Sequence, residues 1–183
     1  MFGKPSSDLT LVKRALKGKA DAWDKLIRRY EPKIFNFALR MTGNHEDARD
    51  LMQEVFIAVY RNLESYGQKA AFSSWIFTIA SRRATDFYRR RKPVDPMGEG
   101  DADLKDDRFD PHDDLLRYES NREIQHLLRQ LSPDQRMVVE LKIFQEMTFE
   151  EMANSVDIPI NTLKSRFYGA LRKLKSLPEV CRA

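Results

Sequence analysis

An all-α fold, arranged as two small helical domains joined by a flexible acidic linker, is what this sequence predicts, and three observations carry the prediction. Apolar residues recur at spacings of three and four along most of the chain, the period of a helix with one buried face. A charged fraction of 33% with only seven glycines in 183 residues fits helices better than a sandwich of strands. Charge also falls into blocks. Residues 1–92 carry 19 Lys and Arg against 10 Asp and Glu, a net +9. Residues 93–121 carry 3 against 10, a net −7, and residues 122–183 carry 10 against 8, a net +2. A basic block, an acidic connector and a second block whose cations crowd toward Lys164–Lys175 suggest two nucleic-acid-binding modules on a tether. Solvated helix faces with an ordinary linker are the competing reading.

The first domain, residues 1–92, opens with Trp23, Leu26, Ile27, Tyr30, Ile34, Phe37, Ala38 and Met41 at helical period through Pro32, which predicts one kinked helix or two consecutive ones. Gly43 ends that run. Asn44 can cap the next helix, with Glu46 and Asp47 in its positive first turn. This helix should reach about Leu63, with Ala48, Leu51, Met52, Val55, Phe56 and Val59 inward. Asp50, Gln53 and Glu54 share its outer side, an acidic patch in a basic domain that could meet a positively charged protein or simply water.

A third long helix starts at Phe72 in FSSWIFTIASRRATDFYRRRK. Its period places Trp75, Ile76, Ile79, Ala80 and Phe87 on one side and Ser81, Arg82, Thr85 and Arg89 on another. Arg83 falls within the apolar stripe, where its stem can pack while the guanidinium reaches water. The loop SYGQKAAFSSW brings Tyr66, Phe72 and Trp75 beside this cationic helix, a combination suited to single-stranded DNA. Turn-forming neighbours favour an exposed Tyr66, whereas Trp75 reads as core. Arg82, Arg89 and Arg90 are stronger candidates for nucleic acid than any ring.

The segment PVDPMGEGDADLKDDRFDP, within the linker 93–121, has too few apolar side chains to offset its ordering entropy. The second domain, residues 122–183, begins within a helix expected from about Leu115 to Arg129. Ser132-Pro133-Asp134-Gln135 then supplies a cap, a proline at the first helical position and a capping-box glutamine, opening a helix to about Phe144. Thr148-Phe149-Glu150-Glu151 repeats the signature for a short helix with Met152 and Val156 inward. Asp157-Ile158-Pro159 turns the chain into a last helix, from about Ile160 to Leu174. There Leu163, Phe167, Leu171 and Leu174 face inside and Lys164, Ser165, Tyr168, Arg172 and Lys175 face outside.

Short helix, tight turn and basic helix make a helix-turn-helix, whose second helix can enter a major groove. Thr162, Lys164, Ser165 and Tyr168 are the candidates for base-edge or sugar contacts, and Arg166 and Arg172 for phosphate. A plain helical hairpin with a solvated basic face is the rival.

Neither catalysis nor a cofactor or metal is expected. His45, His112 and His126 lie in separate segments without metal-type spacing, and Cys181 has neither a recognisable base nor a disulfide partner. A lone cysteine suits a reducing, cytoplasmic compartment, and no apolar run approaches the roughly 20 residues that span a bilayer.

In the order DARDLMQEVFIAVYRNL, FSSWIFTIASRRATDFYRRRK, LSPDQRMVVELKIFQEMTFEEMANSVDIP and NTLKSRFYGALRKLK, with an acidic linker between the two pairs, the chain resembles a bacterial extracytoplasmic-function sigma factor. The resemblance spans about residues 8–92 and 122–176. It implies that Asp50, Gln53 and Glu54 dock on core RNA polymerase. It implies that the first domain recognises and melts the minus-ten element through Tyr66, Gln68, Lys69, Phe72, Arg82, Asp86, Arg89 and Arg90. Residues 66–72 match the loop that receives a flipped-out base. The second domain would read the minus-thirty-five element as duplex, with Lys164, Ser165 and Tyr168 at matching recognition-helix positions. Promoter DNA, polymerase and an anti-sigma protein are the implied partners. Departures from the family pattern occur at Arg82, where asparagine is frequent, at Arg83, where an apolar residue is usual, and at Gly169, where some members carry a larger side chain. A stand-alone helix-turn-helix regulator is the alternative function, and a small helical nuclease a distant third.

Overall fold

The structure, a computed structural model, describes residues 7–68, 70–90 and 123–177. The linker, the first part of the helix expected at Leu115–Arg129, Lys69, His112 and Cys181 lie outside the described residues. All regular elements among the described residues are helical.

The first module is built from α1 (Asp8–Ala15), α2 (Ala20–Thr42), α3 (His45–Asn62) and α4 (Phe72–Arg90). Sequence periodicity missed α1, which is only eight residues long. It is capped by Ser7 and buries Leu11 and Val12 completely. Asp8 ties it to α2 by accepting from Arg29 and, at 2.6 Å, from the Tyr30 hydroxyl. Burial and the neighbouring Asp8 carboxylate push the Tyr30 phenol well above its usual range.

Helix α2 is continuous through Pro32 rather than two helices. Pro32 is exposed, so the amide it lacks costs no buried hydrogen bond. The helix stops at Gly43, whose φ of 71° is left-handed and whose N–H returns to the Leu39 carbonyl. The Asn44 side chain then accepts from the Glu46 and Asp47 amides to start α3. Ala48, Leu51, Val55 and Val59 are buried as the period predicts, with Met52 and Phe56 partly so.

Three sequence expectations are corrected by packing. Tyr66 is buried, not exposed: its ring packs edge-on to Phe72 and tilted against Trp75, and its hydroxyl donates to the Ala70 carbonyl at 2.7 Å. A turn whose ends must close over a core supplies its own aromatic plug, which local turn chemistry does not reveal. Ser81 is buried rather than part of the gripping face. The buried stripe of α4 runs through Phe72, Ile76, Phe77, Ala80, Ser81 and Ala84, and the Ser81 hydroxyl is satisfied by the Phe77 carbonyl. Leu171 is 40% exposed, because the inward stripe of the last helix turns through Ala170 instead.

The second module holds α5, described over residues 123–129, then α6 (Pro133–Val139), α7 (Phe149–Val156) and α8 (Ile160–Ser176). Both anticipated capping boxes form, Ser132 with Gln135 and Thr148 with Glu151. The expected helix to Phe144 changes character at Glu140. Residues Glu140–Phe144 widen to π-helical bonding, with the Gln145 amide reaching the Glu140 carbonyl. Asp157, left-handed at φ 55°, ends α7, and Leu163 and Phe167 of α8 close onto Met152 and Phe149 in one apolar cluster. The two modules touch, chiefly through α4 against α7 and the end of α2 against α6.

Candidate nucleic-acid and polymerase interface

On α3 the spacing of Asp50, Gln53 and Glu54 puts them on one outer face, where Asp50 and Gln53 are exposed and Glu54 is half-buried. Ile57 and Tyr60, 44% and 67% exposed, extend that face toward the helix end. Large apolar groups beside carboxylates give this outer face a composition that can support protein binding.

Helix α4 carries its cations along the adjoining edge. Arg82, Arg89 and Arg90 are exposed, and Asp86 lies half-buried between them, 3.8 Å from Arg89. Arg90 is directed back to α3, donating to both carboxylate oxygens of Glu54. Arg83 is half-buried. Between the end of α3 and the start of α4 lies an open depression of about 290 Å³. Asn62, Ser65, Trp75, Arg82, Arg83 and Asp86 are among its walls. It combines an aromatic edge, amide and hydroxyl groups and a cation, the set that recognises a nucleobase out of its stack. Tyr66 and Phe72, with 7% and 3% exposure, offer no stacking face to a ligand. Gln68 remains exposed on the loop, held at a positive φ of 57°.

The α8 candidates are brought together on one helix face. Thr162, Lys164, Ser165, Tyr168 and Arg172 are all exposed, and Tyr168 presents 53% of its surface. Arg166 differs. It is half-buried and bound to Asp134 of α6 at 2.7 Å, so its guanidinium ties α8 to α6. A Cβ placed on Gly169 would meet only Gln135 and Arg172 side-chain atoms at ordinary contact distances.

Sequence reasoning overlooked the polar groups where the modules meet. Glu140 is fully buried and accepts from Arg40 of α2 at 2.6 and 2.8 Å and from Gln145 at 3.0 Å. Burial pushes its carboxyl above the usual range, against the opposing pull of Arg40 and Gln145. A carboxylate inside the apolar run MVVELKIF was the available signal, since an acidic side chain among core positions needs a partner. Among the described residues, no group of three or more His, Cys, Asp and Glu side chains could hold a metal ion, and no helix is long and apolar enough to cross a membrane.

Residues 26–94 match the family described as Sigma-70 region 2, and residues 121–174 match Sigma-70, region 4. Over 174 residues the chain is 32% identical to the ECF RNA polymerase sigma factor SigW of Bacillus subtilis, covering 88% of this chain and 93% of that one. It is 31% identical over 173 residues to the RNA polymerase sigma-H factor of Pseudomonas aeruginosa, covering 89% of each. The fold is similar to CnrH, solved in complex with the cytosolic domain of CnrY, with a TM-score of 0.68 at 20% identity over 93% of this chain and 96% of that one. It is also similar to the sigma factor RpoE of Bartonella quintana, solved with the anti-sigma factor NepR, with a TM-score of 0.59 at 21% identity over 83% and 93% of the two chains.

Proposed function

The chain belongs to the extracytoplasmic-function family of RNA polymerase sigma factors, and from that membership we propose how its surfaces divide the work of promoter recognition. The protein binds core RNA polymerase and directs promoter-specific initiation. Its domains are assigned as residues 1–92, 93–121 and 122–183, acting in the cytoplasm. Asp50, Gln53 and Glu54 form the polymerase-docking face, with Ile57 and Tyr60 as its apolar extension.

The minus-ten element is held as single strand by Arg82 and Arg89 on α4, with Gln68, Lys69 and Asp86 as further proposed contacts. The depression walled by Asn62, Ser65, Trp75 and Arg82 receives an unstacked base. Tyr66 and Phe72 shape that receptor from inside the core rather than touching DNA. Capture of one base offsets an unstacking cost of a few kcal/mol, so opening needs no nucleotide hydrolysis by this chain. Arg90 joins the strand-holding row when it leaves Glu54. The minus-thirty-five element is read as duplex by Thr162, Lys164, Ser165 and Tyr168, with Arg172 on phosphate and Arg166 as the brace.

One observation supports this division above the others: the α4 cations and the proposed α8 recognition face are both solvent-accessible, on helices anchored by separate apolar stripes. An anti-sigma protein that covers the polymerase-docking face is the expected regulator, as sigma factors of similar fold are solved with such partners.

Run-off transcription with core polymerase and a promoter library tests the whole reading. Specific initiation that depends on this chain is expected. A stand-alone regulator would instead bind specific duplex tightly without polymerase, which a gel shift of the isolated chain detects.

A further inference from the structure

Gly169 stands within the proposed recognition face of α8, one helical turn from both Ser165 and Arg172, and neither backbone nor packing asks for a glycine there. Its φ is not positive. A Cβ added to it would meet Gln135 Nε2 at 3.5 Å and an Arg172 guanidinium nitrogen at 3.9 Å, both ordinary contacts. Glycine is among the poorest helix formers, so a helical position that has room for alanine and lacks it invites a reason outside the fold. What the glycine leaves is a notch between a carboxamide from α6 and a guanidinium from α8.

The carboxamide is oriented by the capping box. Gln135 Oε1 accepts from the Ser132 amide at 3.3 Å, and the Ser132 hydroxyl accepts in turn from the Gln135 amide at 3.3 Å. A backbone N–H can only donate, so the oxygen must face Ser132, and Nε2 is the end turned to Gly169. Among the described residues Nε2 has no hydrogen-bond partner, yet it is not sealed from solvent. Arg172 is exposed and likewise has no ion-pair partner among the described residues. The neighbouring Asp134 carboxylate is bound to Arg166 at 2.7 Å. Arg136, next along α6, is buried and donates to the Leu128 carbonyl at 2.9 Å and to the Met41 carbonyl at 2.7 Å, so the first turn of α6 is held in place.

The notch therefore offers donors from two helices. Bidentate reading of adenine by glutamine uses both the oxygen and the nitrogen of the carboxamide. With the oxygen committed to Ser132, the remaining N–H groups and the adjacent guanidinium suit an anion, and on a duplex that anion is a backbone phosphate.

We propose that Gln135 is a further DNA-binding residue: its Nε2 and the Arg172 guanidinium grip one backbone phosphate of the minus-thirty-five duplex over Gly169, where the missing side chain lets the phosphate come close. The assignment rests on the sigma-factor reading. It extends the DNA-binding surface from α8 onto α6, and a phosphate held by both helices fixes the tilt at which α8 enters the major groove.

The test uses the full chain in holoenzyme with core polymerase, bound to duplexes from a promoter library and read by fluorescence anisotropy. Gln135→Glu keeps the capping acceptor and removes both donors, so the melting temperature should hold while affinity falls by about tenfold for all minus-thirty-five sequences alike. Gln135→Met, uncharged and without donors, should lose affinity as well, which separates a lost contact from a new repulsion. Gly169→Leu, a better helix former that fills the notch, should weaken binding without lowering the melting temperature. The phosphates of the element are then replaced one at a time by neutral methylphosphonate. At one position wild type should lose about tenfold, and Gln135→Met and Arg172→Ala should each lose clearly less at that same position. Wild-type affinity in Gln135→Glu, or a phosphate profile in Gln135→Met identical to that of wild type, would overturn the contact and leave Gln135 as a cap alone. A changed preferred base in place of a uniform loss would overturn the phosphate assignment. Failure of wild-type holoenzyme to select any duplex from the library would instead overturn the sigma-factor reading.

Discussion

Arg90, at the last turn of α4, donates to both oxygens of Glu54 on α3 at 2.9 and 3.0 Å, so the proposed strand-holding cation and the proposed polymerase-docking carboxylate are held on each other. The side chains are 59% and 37% exposed, which places the pair among surface ion pairs worth less than about 1 kcal/mol. Glu54→Ala should therefore shift the urea midpoint only slightly. It should nevertheless weaken core polymerase binding, measured by fluorescence anisotropy, and Arg90→Ala should weaken it less. Equal affinity of wild type and Glu54→Ala would remove Glu54 from the docking face.

Tyr66 separates a packing role from a contact role. Its hydroxyl bond to the Ala70 carbonyl is one neutral hydrogen bond, and burial pushes the phenol above its usual range. Tyr66→Phe should cost about 0.5–1.5 kcal/mol in chemical denaturation. Tyr66→Ala, which empties an aromatic site between Phe72 and Trp75, should cost about 3–5 kcal/mol. A full loss of promoter opening in Tyr66→Phe with unchanged stability would show that the hydroxyl meets DNA after all.

Legibility of the fold followed the range of the interactions that make it. The Asn44 cap, the two capping boxes and the outward row from Thr162 to Arg172 are local, and residue types three or four positions apart encode them. Tyr66 depends on which rings meet across a loop, and Ser81 on how α4 rotates against α2 and α3, so periodicity within one helix misjudged both. The partners of Arg40 and Arg136 lie 100 and 95 residues away, beyond the reach of any local pattern. Separation in sequence, though shorter, also hid the commitment of Arg166 to Asp134 and of Arg90 to Glu54.

The α8 face should reveal itself in salt dependence. Lys164 and Arg172 stand free of ion pairs to carboxylates in the described contacts, whereas Arg166 is already matched by Asp134. In holoenzyme binding to duplex carrying the minus-thirty-five element, Arg172→Ala should reduce the slope of log affinity against log salt by about 1 and weaken all sequences alike. Tyr168→Ala should leave the slope in place and change the preferred bases, read from a randomised library. Arg166→Ala should lower thermal stability more than the salt slope, and the opposite order would make it a phosphate contact.

Glu140 predicts a pH dependence whose sign differs from that of an ordinary exposed carboxylate. Burial raises its folded-state pKa above the reference value of 4.5, with Arg40 and Gln145 acting in the opposite direction. Between those two values the folded chain retains a proton that the unfolded chain has released, so the contribution of Glu140 to stability falls as pH rises. Below 4.5 both states are protonated and the contribution is fully present; above the folded value it is lost and the slope vanishes. Glu140→Gln does not titrate, and it keeps the shape of the side chain beside Arg40. The stability of wild type relative to Glu140→Gln, from urea denaturation at successive pH values, should therefore decline in the window that opens at 4.5. A rising difference would mean that Arg40 outweighs burial, making the pair a net attraction at neutral pH.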